Sequence, residues 1–175
     1  MLEKKLDTVI RDVPDFPKKG IIFKDITPLL SDPELSQEIS LAFINKWKGM
    51  GVEGVVGIES RGFLYGPQIA VALGVPFIVV RKAGKLPYKT IRYSYDLEYG
   101  SAEIEMHTDA VSKGQKILIH DDLLATGGSS LAASELVKIA GGDVIGYSFI
   151  IELAFLKGRE KLSPFSEGIQ SLISY

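Results

Sequence analysis

No cysteine occurs in the 175 residues, which excludes disulfides, thiolate nucleophiles and Cys-ligated zinc. Histidine is almost as scarce: the two present, His107 and His120, stand too far apart in sequence to form a His-rich metal site. Charge of either sign is not in excess. A net charge of −2 and the lack of a dense basic block give no reason to expect a nucleic-acid partner. Long apolar runs are also missing, since the longest, from Ile69 towards Val80, is broken by Gly74 and Pro76 and cannot span a bilayer. The opening Met1-Leu2-Glu3-Lys4-Lys5 has no signal-peptide core. A composition of 46% hydrophobic and 24% charged residues is that of an ordinary water-soluble chain with enough apolar side chains for a real core. The expectation is therefore a cytoplasmic protein folding as one domain over residues 1–175, with no membrane contact.

Patterns of strand and helix alternate along the chain. Residues 2–12 read as a short helix ended by Pro14, followed by a turn-rich stretch and the extended Ile21–Ile26. Asp32 is placed to cap a helix from Pro33 to about Lys48, with Leu35, Ile39, Phe43 and Trp47 forming a core-facing stripe. Trp47 is assigned to packing. Val52–Ile58 reads as a strand, Phe63–Ala72 as a helix and Val75–Val80 as a second buried strand. Ser101–Asp109 alternates Ala102, Ile104 and Met106 against Glu103, Glu105 and His107, the mark of a half-exposed strand. A further strand is read over 143–151, then a C-terminal tail. The alternation predicts an α/β fold with a mainly parallel sheet flanked by helices on both faces. In such sheets ligands bind beyond the carboxyl ends of the strands. Three loops qualify here: 59–62, 81–100 and 121–129.

The third loop is the most informative. Lys116-Ile117-Leu118-Ile119-His120 ends in Asp121-Asp122, and Leu123-Leu124-Ala125-Thr126-Gly127-Gly128-Ser129-Ser130 then leads into an amphipathic helix through Ala140. A helix start preceded by Gly-Gly presents unpaired backbone N–H groups and the positive end of the helix dipole, which together suit a phosphate. Two carboxylates would repel a bare phosphate but accept hydrogen bonds from a ribose diol. The segment therefore reads as a cradle for a ribose 5-phosphate. Neither Gly-x-x-x-x-Gly-Lys-Ser/Thr nor a Gly-x-Gly-x-x-Gly dinucleotide fingerprint is present. The plainer alternative is a β–α turn with Asp as helix cap.

The other two loops carry cations. Glu59-Ser60-Arg61-Gly62 puts Arg61 near a predicted helix start, where it could bind a pyrophosphate or simply pair with Glu59. Residues 81–100 hold Arg81, Lys82, Lys85, Lys89 and Arg92 within twelve positions, either a solvated basic loop or a lid over a polyanion. Glu98 is either an exposed strand residue or a general acid/base.

The 116–130 signature resembles that of the type I phosphoribosyltransferases, which use phosphoribosyl pyrophosphate (PRPP). Phe16–Pro28, Arg81–Pro87, Tyr95–Gly100 and Glu152–Arg159 extend the resemblance over about residues 14–162 and are similar to its adenine-using branch. The resemblance implies the type I phosphoribosyltransferase fold, with a small hood from about 14–30 and 150–162 and a flexible lid over about 81–100. It implies transfer of 5-phosphoribose from PRPP to adenine, giving AMP and pyrophosphate in purine salvage. A homodimer is implied, and Mg²⁺ held mainly by substrate oxygens rather than by a carboxylate cage. Ala125, Thr126, Gly127, Gly128 and Ser129 would hold the 5′-phosphate, and Asp121 and Asp122 the ribose hydroxyls. Glu59, Ser60, Arg61, Arg81, Lys82 and Lys85 would contact the rest of PRPP, and Ile22, Phe23, Lys24 and Leu153 the adenine. Glu98 and Tyr99, with Arg61 and Lys85, make the implied catalytic set. A non-proline cis peptide is implied between Glu59 and Ser60. The chain departs from the family pattern at Lys24 (commonly Arg), Ser129 (commonly Thr), Tyr88-Lys89 (commonly Gly-Pro) and His120 (usually apolar, and expected only to pack). Rival readings are a phosphoribosyltransferase for another base and a PRPP-binding regulator. The first is disfavoured by both hood segments, the second by the lack of room for a helix-turn-helix in the first 15 residues.

Overall fold

A computed structural model describes residues 1–96 and 101–175. Helix α1 (Leu2–Val9) leads into an antiparallel ribbon of β1 (Arg11–Pro14) and β2 (Ile22–Asp25). Helices α2 (Thr27–Leu30) and α3 (Pro33–Trp47) follow, then β3 (Gly54–Ile58), a 3-10 turn at Arg61–Phe63, α4 (Gly66–Leu73) and β4 (Phe77–Lys82). The remainder comprises β5 (Thr90–Asp96), β6 (Ser101–His107), β7 (Lys116–His120), β8 (Leu123–Leu124), α5 (Gly128–Ile139), β9 (Asp143–Glu152), α6 (Gly158–Leu162) and β10 (Ile169–Ser174).

The large sheet has the order β10-β9-β7-β3-β4-β6-β5, with the short β8 also against β9. From β10 to β4 the strands are parallel, and β6 and β5 are added antiparallel. Successive side chains in a strand face opposite sides, so Val56, Ile117 and Ile119 pack towards α5. Val55 and Leu118 pack on the other side with α1, α3 and α4. Both faces are covered, as the near-continuous apolar strands require. Asp32 caps α3 by accepting a 3.0 Å bond from the Leu35 N–H, and Leu35, Ile39, Phe43 and Trp47 are buried beneath it. Trp47 packs: a Cβ on Gly146 would collide with its ring, so only glycine lets the indole lie against β9.

Several boundaries differ from the sequence reading, among them that of the strand read from Val75, which runs Phe77–Lys82. The first helix stops at Val9, because Arg11–Pro14 is recruited as β1 by β2 across a distant turn. The helix predicted from Phe63 starts three residues late, at Gly66, after the 3-10 turn that contains Arg61. Residues 90–96, read as an aperiodic part of the lid, form β5. Their alternation of Ile91, Tyr93 and Tyr95 against Arg92 and Ser94 lets the apolar set pack on the α5 side of the core. The C-terminal tail holds α6 and the edge strand β10, whose pairing with β9 is a long-range event. One side chain was misassigned in burial: Glu105, read as solvent-facing, is fully buried. Among the described residues no helix is long and apolar enough to cross a membrane.

Candidate active site

Strands β3, β7 and β4 are adjacent, so the loops leaving their carboxyl ends converge. Gly57 is in register with His120 and Ile58 with Val80, which places Glu59 and Asp121 at one edge of the sheet. Contact between the loops is close. A Cβ on Gly62 would lie 2.7 Å from the His120 carbonyl oxygen and 3.3 Å from Asp121 Oδ1, so the glycine is what allows the approach. The Glu59–Ser60 peptide is cis, as the resemblance implied.

A cleft of about 610 Å³ opens at this edge, lined by Arg61, Asp121, Asp122, the whole 123–130 segment, Tyr95, Leu156 and Lys161. Gly127 adopts φ +78°, a left-handed conformation suited to glycine, and no side chain caps α5, so the helix begins with its backbone N–H groups uncapped beside the cleft. A Cβ on Gly127 would come within 2.9 Å of the Gly158 carbonyl oxygen, so this loop is seated on the start of α6. Tyr95 closes it from the other side, its hydroxyl 3.1 Å from Ser129 Oγ.

The acidic pair is electrostatically unusual. Burial, reinforced by the neighbouring Asp122 charge, pushes the Asp121 carboxyl well above the ordinary range. Burial also raises Asp122, against the opposing pull of Arg61, whose Nε lies 3.1 Å from Asp122 Oδ2. Asp121 Oδ1 accepts a 2.9 Å bond from the Asp122 N–H. Arg61 also stands 5.1 Å from the Phe23 ring centroid and so links the ribbon to the acidic corner. It sits in a 3-10 turn rather than at an α-helix start, and its partner is Asp122, not Glu59.

Glu59 is committed elsewhere. It receives both Arg81 Nη2 and Nε, at 2.9 and 3.1 Å, and the Lys82 N–H at 3.1 Å. The Arg81 hydrogen bond, outweighing burial, holds its carboxyl below the usual range. Arg92 pairs with Glu105 and Glu103, whereas Lys82, Lys85 and Lys89 have no ion pair among the described residues. Of the expected pyrophosphate-loop cations, then, Arg81 serves structure and the lysines stay available. In the ribbon, Ile22 is exposed and Phe23 half-buried. Lys24 is held by Asp12 at 2.6 Å and lies 3.6 Å above the Tyr175 ring. Leu153 donates its N–H to the Leu124 carbonyl at 2.9 Å, joining the end of β9 to the cradle. Glu98 and Tyr99 lie outside the described residues.

His120 is buried with its Nδ1 3.0 Å from Ser148 Oγ and its ring edge against Phe43. Burial lowers its pKa to about 3, so it is a neutral packing residue. Tyr95, Leu156 and Lys161 escaped the sequence reading. Only Tyr95 left a usable signal, in the alternation of 91, 93 and 95.

A parallel sheet with an acidic pair, a glycine-bent helix start and a facing arginine at one edge defines a binder of phosphorylated pentoses. The family described as "Phosphoribosyl transferase domain" matches residues 34–163, and the chain belongs to it. Within that family the chain is similar to adenine phosphoribosyltransferases. Adenine phosphoribosyltransferase from Cytophaga hutchinsonii is 52% identical over 175 residues, covering 100% of this chain and 97% of the relative. The crystal structure of adenine phosphoribosyltransferase from Thermoanaerobacter pseudethanolicus superposes with a TM-score of 0.95 at 46% identity, covering 100% of both chains. The Saccharomyces cerevisiae enzyme, crystallised with an imino-altritol bisphosphate and adenine, gives a TM-score of 0.90 at 40% identity, covering 98% of each chain.

Proposed function

We infer that the chain is an adenine phosphoribosyltransferase, joining adenine N9 to C1′ of PRPP as the C1′–pyrophosphate bond breaks and the N9 proton leaves. The observation that carries this reading is the 121–130 cleft, which is lined by both an uncapped helix start and the Asp121–Asp122 pair. The N–H groups and hydroxyls of Ala125–Ser129 bind the 5′-phosphate. Asp121 and Asp122 accept from the ribose hydroxyls, and their negative charge favours the cationic character that develops at C1′. Arg61, Lys82 and Lys85 neutralise the departing pyrophosphate, and the loop with Glu59–Ser60 lies beneath it. Adenine stacks in the hood between Phe23 and Leu153, with the backbone at Ile22 and Lys24 reading its edge: a C=O accepts from the 6-amino group and an N–H donates to N1. A 6-oxopurine reverses that pairing. Glu98, with Tyr99 beside it, handles the purine proton.

Among the described residues no three His, Cys, Asp or Glu side chains cluster as a metal cage. The carboxyls of Asp121 and Asp122 are hard oxygen donors compatible with Mg²⁺, which would arrive coordinated mainly by PRPP oxygens. When bound it neutralises diphosphate charge. We further propose, from the likeness to this family, a cytoplasmic homodimer.

The test is AMP formation from adenine, PRPP and Mg²⁺, run beside hypoxanthine, guanine, xanthine and orotate. Fast turnover with adenine and little with the others is expected. Preference for another base would overturn the hood assignment while leaving the PRPP cradle intact.

A further inference from the structure

Glu105 is a fully buried carboxylate in the middle of β6, and everything it binds belongs to the basic loop. Its Oε1 accepts the N–H groups of Lys85 and Leu86, both at 2.8 Å. Its Oε2 accepts from Thr90 Oγ1 at 3.2 Å and from Arg92 Nε at 3.1 Å. The register explains the placement: Arg81 of β4 and Arg92 of β5 flank Glu105 on either side. Two residues on and on the same face, His107 Nε2 donates to the Pro87 carbonyl at 2.6 Å. The Lys85 carbonyl is taken by Arg81 Nη1 at 3.2 Å, and Arg81 is itself anchored on Glu59 beside the active-site loop.

The Lys85 backbone is thus gripped at both its N–H and its C=O, while its ammonium forms no salt bridge among the described residues. That division is chemically meaningful. Five cations between residues 81 and 92 repel one another, and a lysine-rich loop left to itself would spread into solvent. A buried carboxylate accepting two backbone N–H groups supplies the opposing charge without touching any lysine side chain. Burial alone would raise the Glu105 pKa. Backbone N–H groups, those of Leu86 and Lys85 among them, outweigh it and hold the carboxyl below the usual range.

We propose that Glu105 is a positioning residue for the transfer reaction, fixing the 85–90 backbone so that the Lys85 ammonium is presented to pyrophosphate. The proposal rests on the assignment of Lys85 to the pyrophosphate. Relative to a free loop, Glu105 removes the entropy of ordering the lysine from the binding step.

The experiment is a double-mutant cycle of Glu105→Gln and Lys85→Ala, read by calorimetric binding of inorganic pyrophosphate with Mg²⁺ and by KM for PRPP and for adenine. Glu105→Gln is expected to weaken pyrophosphate binding and raise the PRPP KM by about 10-fold, with the adenine KM changed less than about two-fold. In the Lys85→Ala background the same substitution should add less than about two-fold. Full-sized loss in that background would show that Glu105 acts only on the fold, and an unchanged pyrophosphate affinity in Glu105→Gln would equally overturn the proposal. If Lys85→Ala alone leaves pyrophosphate binding intact, the pyrophosphate assignment itself fails and this inference goes with it. Should Glu105→Gln not fold, Thr90→Val takes its place in the cycle. It removes one bond to Oε2 and should weaken pyrophosphate binding about two- to three-fold, again only when Lys85 is present. No effect of Thr90→Val on pyrophosphate would then refute the inference.

Discussion

Acidification should unfold this protein partly through one histidine, and the size of the effect follows from its burial. His120 is completely enclosed between Phe43, Ser148 and the β3–α4 segment, and burial lowers its pKa from 6.5 to about 3. The folded state therefore binds fewer protons than the unfolded chain between those two values. A depressed folded pKa means stability that is complete above about pH 6.5 and drains as pH falls towards 3. At about pH 5 the unfolded chain has gained 1.5 pH units of protonation that the folded state refuses, worth about 2 kcal/mol. Against a total stability on the order of 5–15 kcal/mol, that is a large share. Asp121 and Asp122 act in the opposite direction, because their raised folded pKa values make them bind protons first in the folded state. The wild-type curve alone therefore mixes both signs. The informative quantity is the difference between wild type and His120→Val in urea unfolding at several pH values, followed by the fluorescence of the single, buried Trp47. The variant carries a roughly pH-independent packing cost of about 1–3 kcal/mol, and its deficit should shrink by about 2 kcal/mol between about pH 7.5 and about pH 5. Parallel curves would refute the reasoning, since they would mean that His120 takes up its proton while folded.

Two further perturbations test the cleft. Asp121→Asn should lower kcat by about 10²–10³-fold, because it removes a carboxylate that we assign to the ribose. It should also raise the unfolding midpoint at about pH 8 and not at about pH 4: the raised Asp121 pKa means stability present below its unfolded value and lost as pH rises through the folded one. A variant less stable at both pH values would contradict that sign. Gly158→Ala places a Cβ against the Ala125 carbonyl oxygen and 2.8 Å from Leu124 Cδ1. A cost of about 1–3 kcal/mol in stability and a higher KM for PRPP should follow, with little change for adenine. An unaltered PRPP KM would show that the cradle is not seated on α6.

How far the site could be read in advance depended on how local its parts are. The strand, acidic pair and glycine turn of 116–130 are consecutive, and each residue type has a local reason to be there. Apolar β-branched residues make the strand, Gly127 takes the positive φ, and the helix follows at once. The same holds for α3, where Asp32 and Pro33 mark the start. Tyr95 and Glu105 were harder for a common reason. Both lie in alternating segments, and alternation states only that successive residues face opposite sides. It does not state which side is covered. Glu105 sits on the face that the 83–89 loop closes over, so the strand is buried on both sides there, Ile104 and Met106 on one and Glu105 on the other. Arg61 was assigned a role from its loop, but its partner could come only from the neighbouring strand end.

By itself the sequence determined the class of fold and the succession of strand, acidic corner, glycine turn and helix over 116–140, since those follow from periodicity, turn chemistry and residues in unbroken succession. The absence of cysteine excluded disulfides and thiolate chemistry. Strand order was decided only in three dimensions. Placing β3 between β7 and β4 brings three loops to one edge and pairs Arg61 with Asp122 across 61 positions of chain. It also commits Arg81 to Glu59, while Lys82, Lys85 and Lys89 form no salt bridge among the described residues. Such choices depend on which carboxylate lies within a few ångströms of which cation, and chain separation carries no information about that distance.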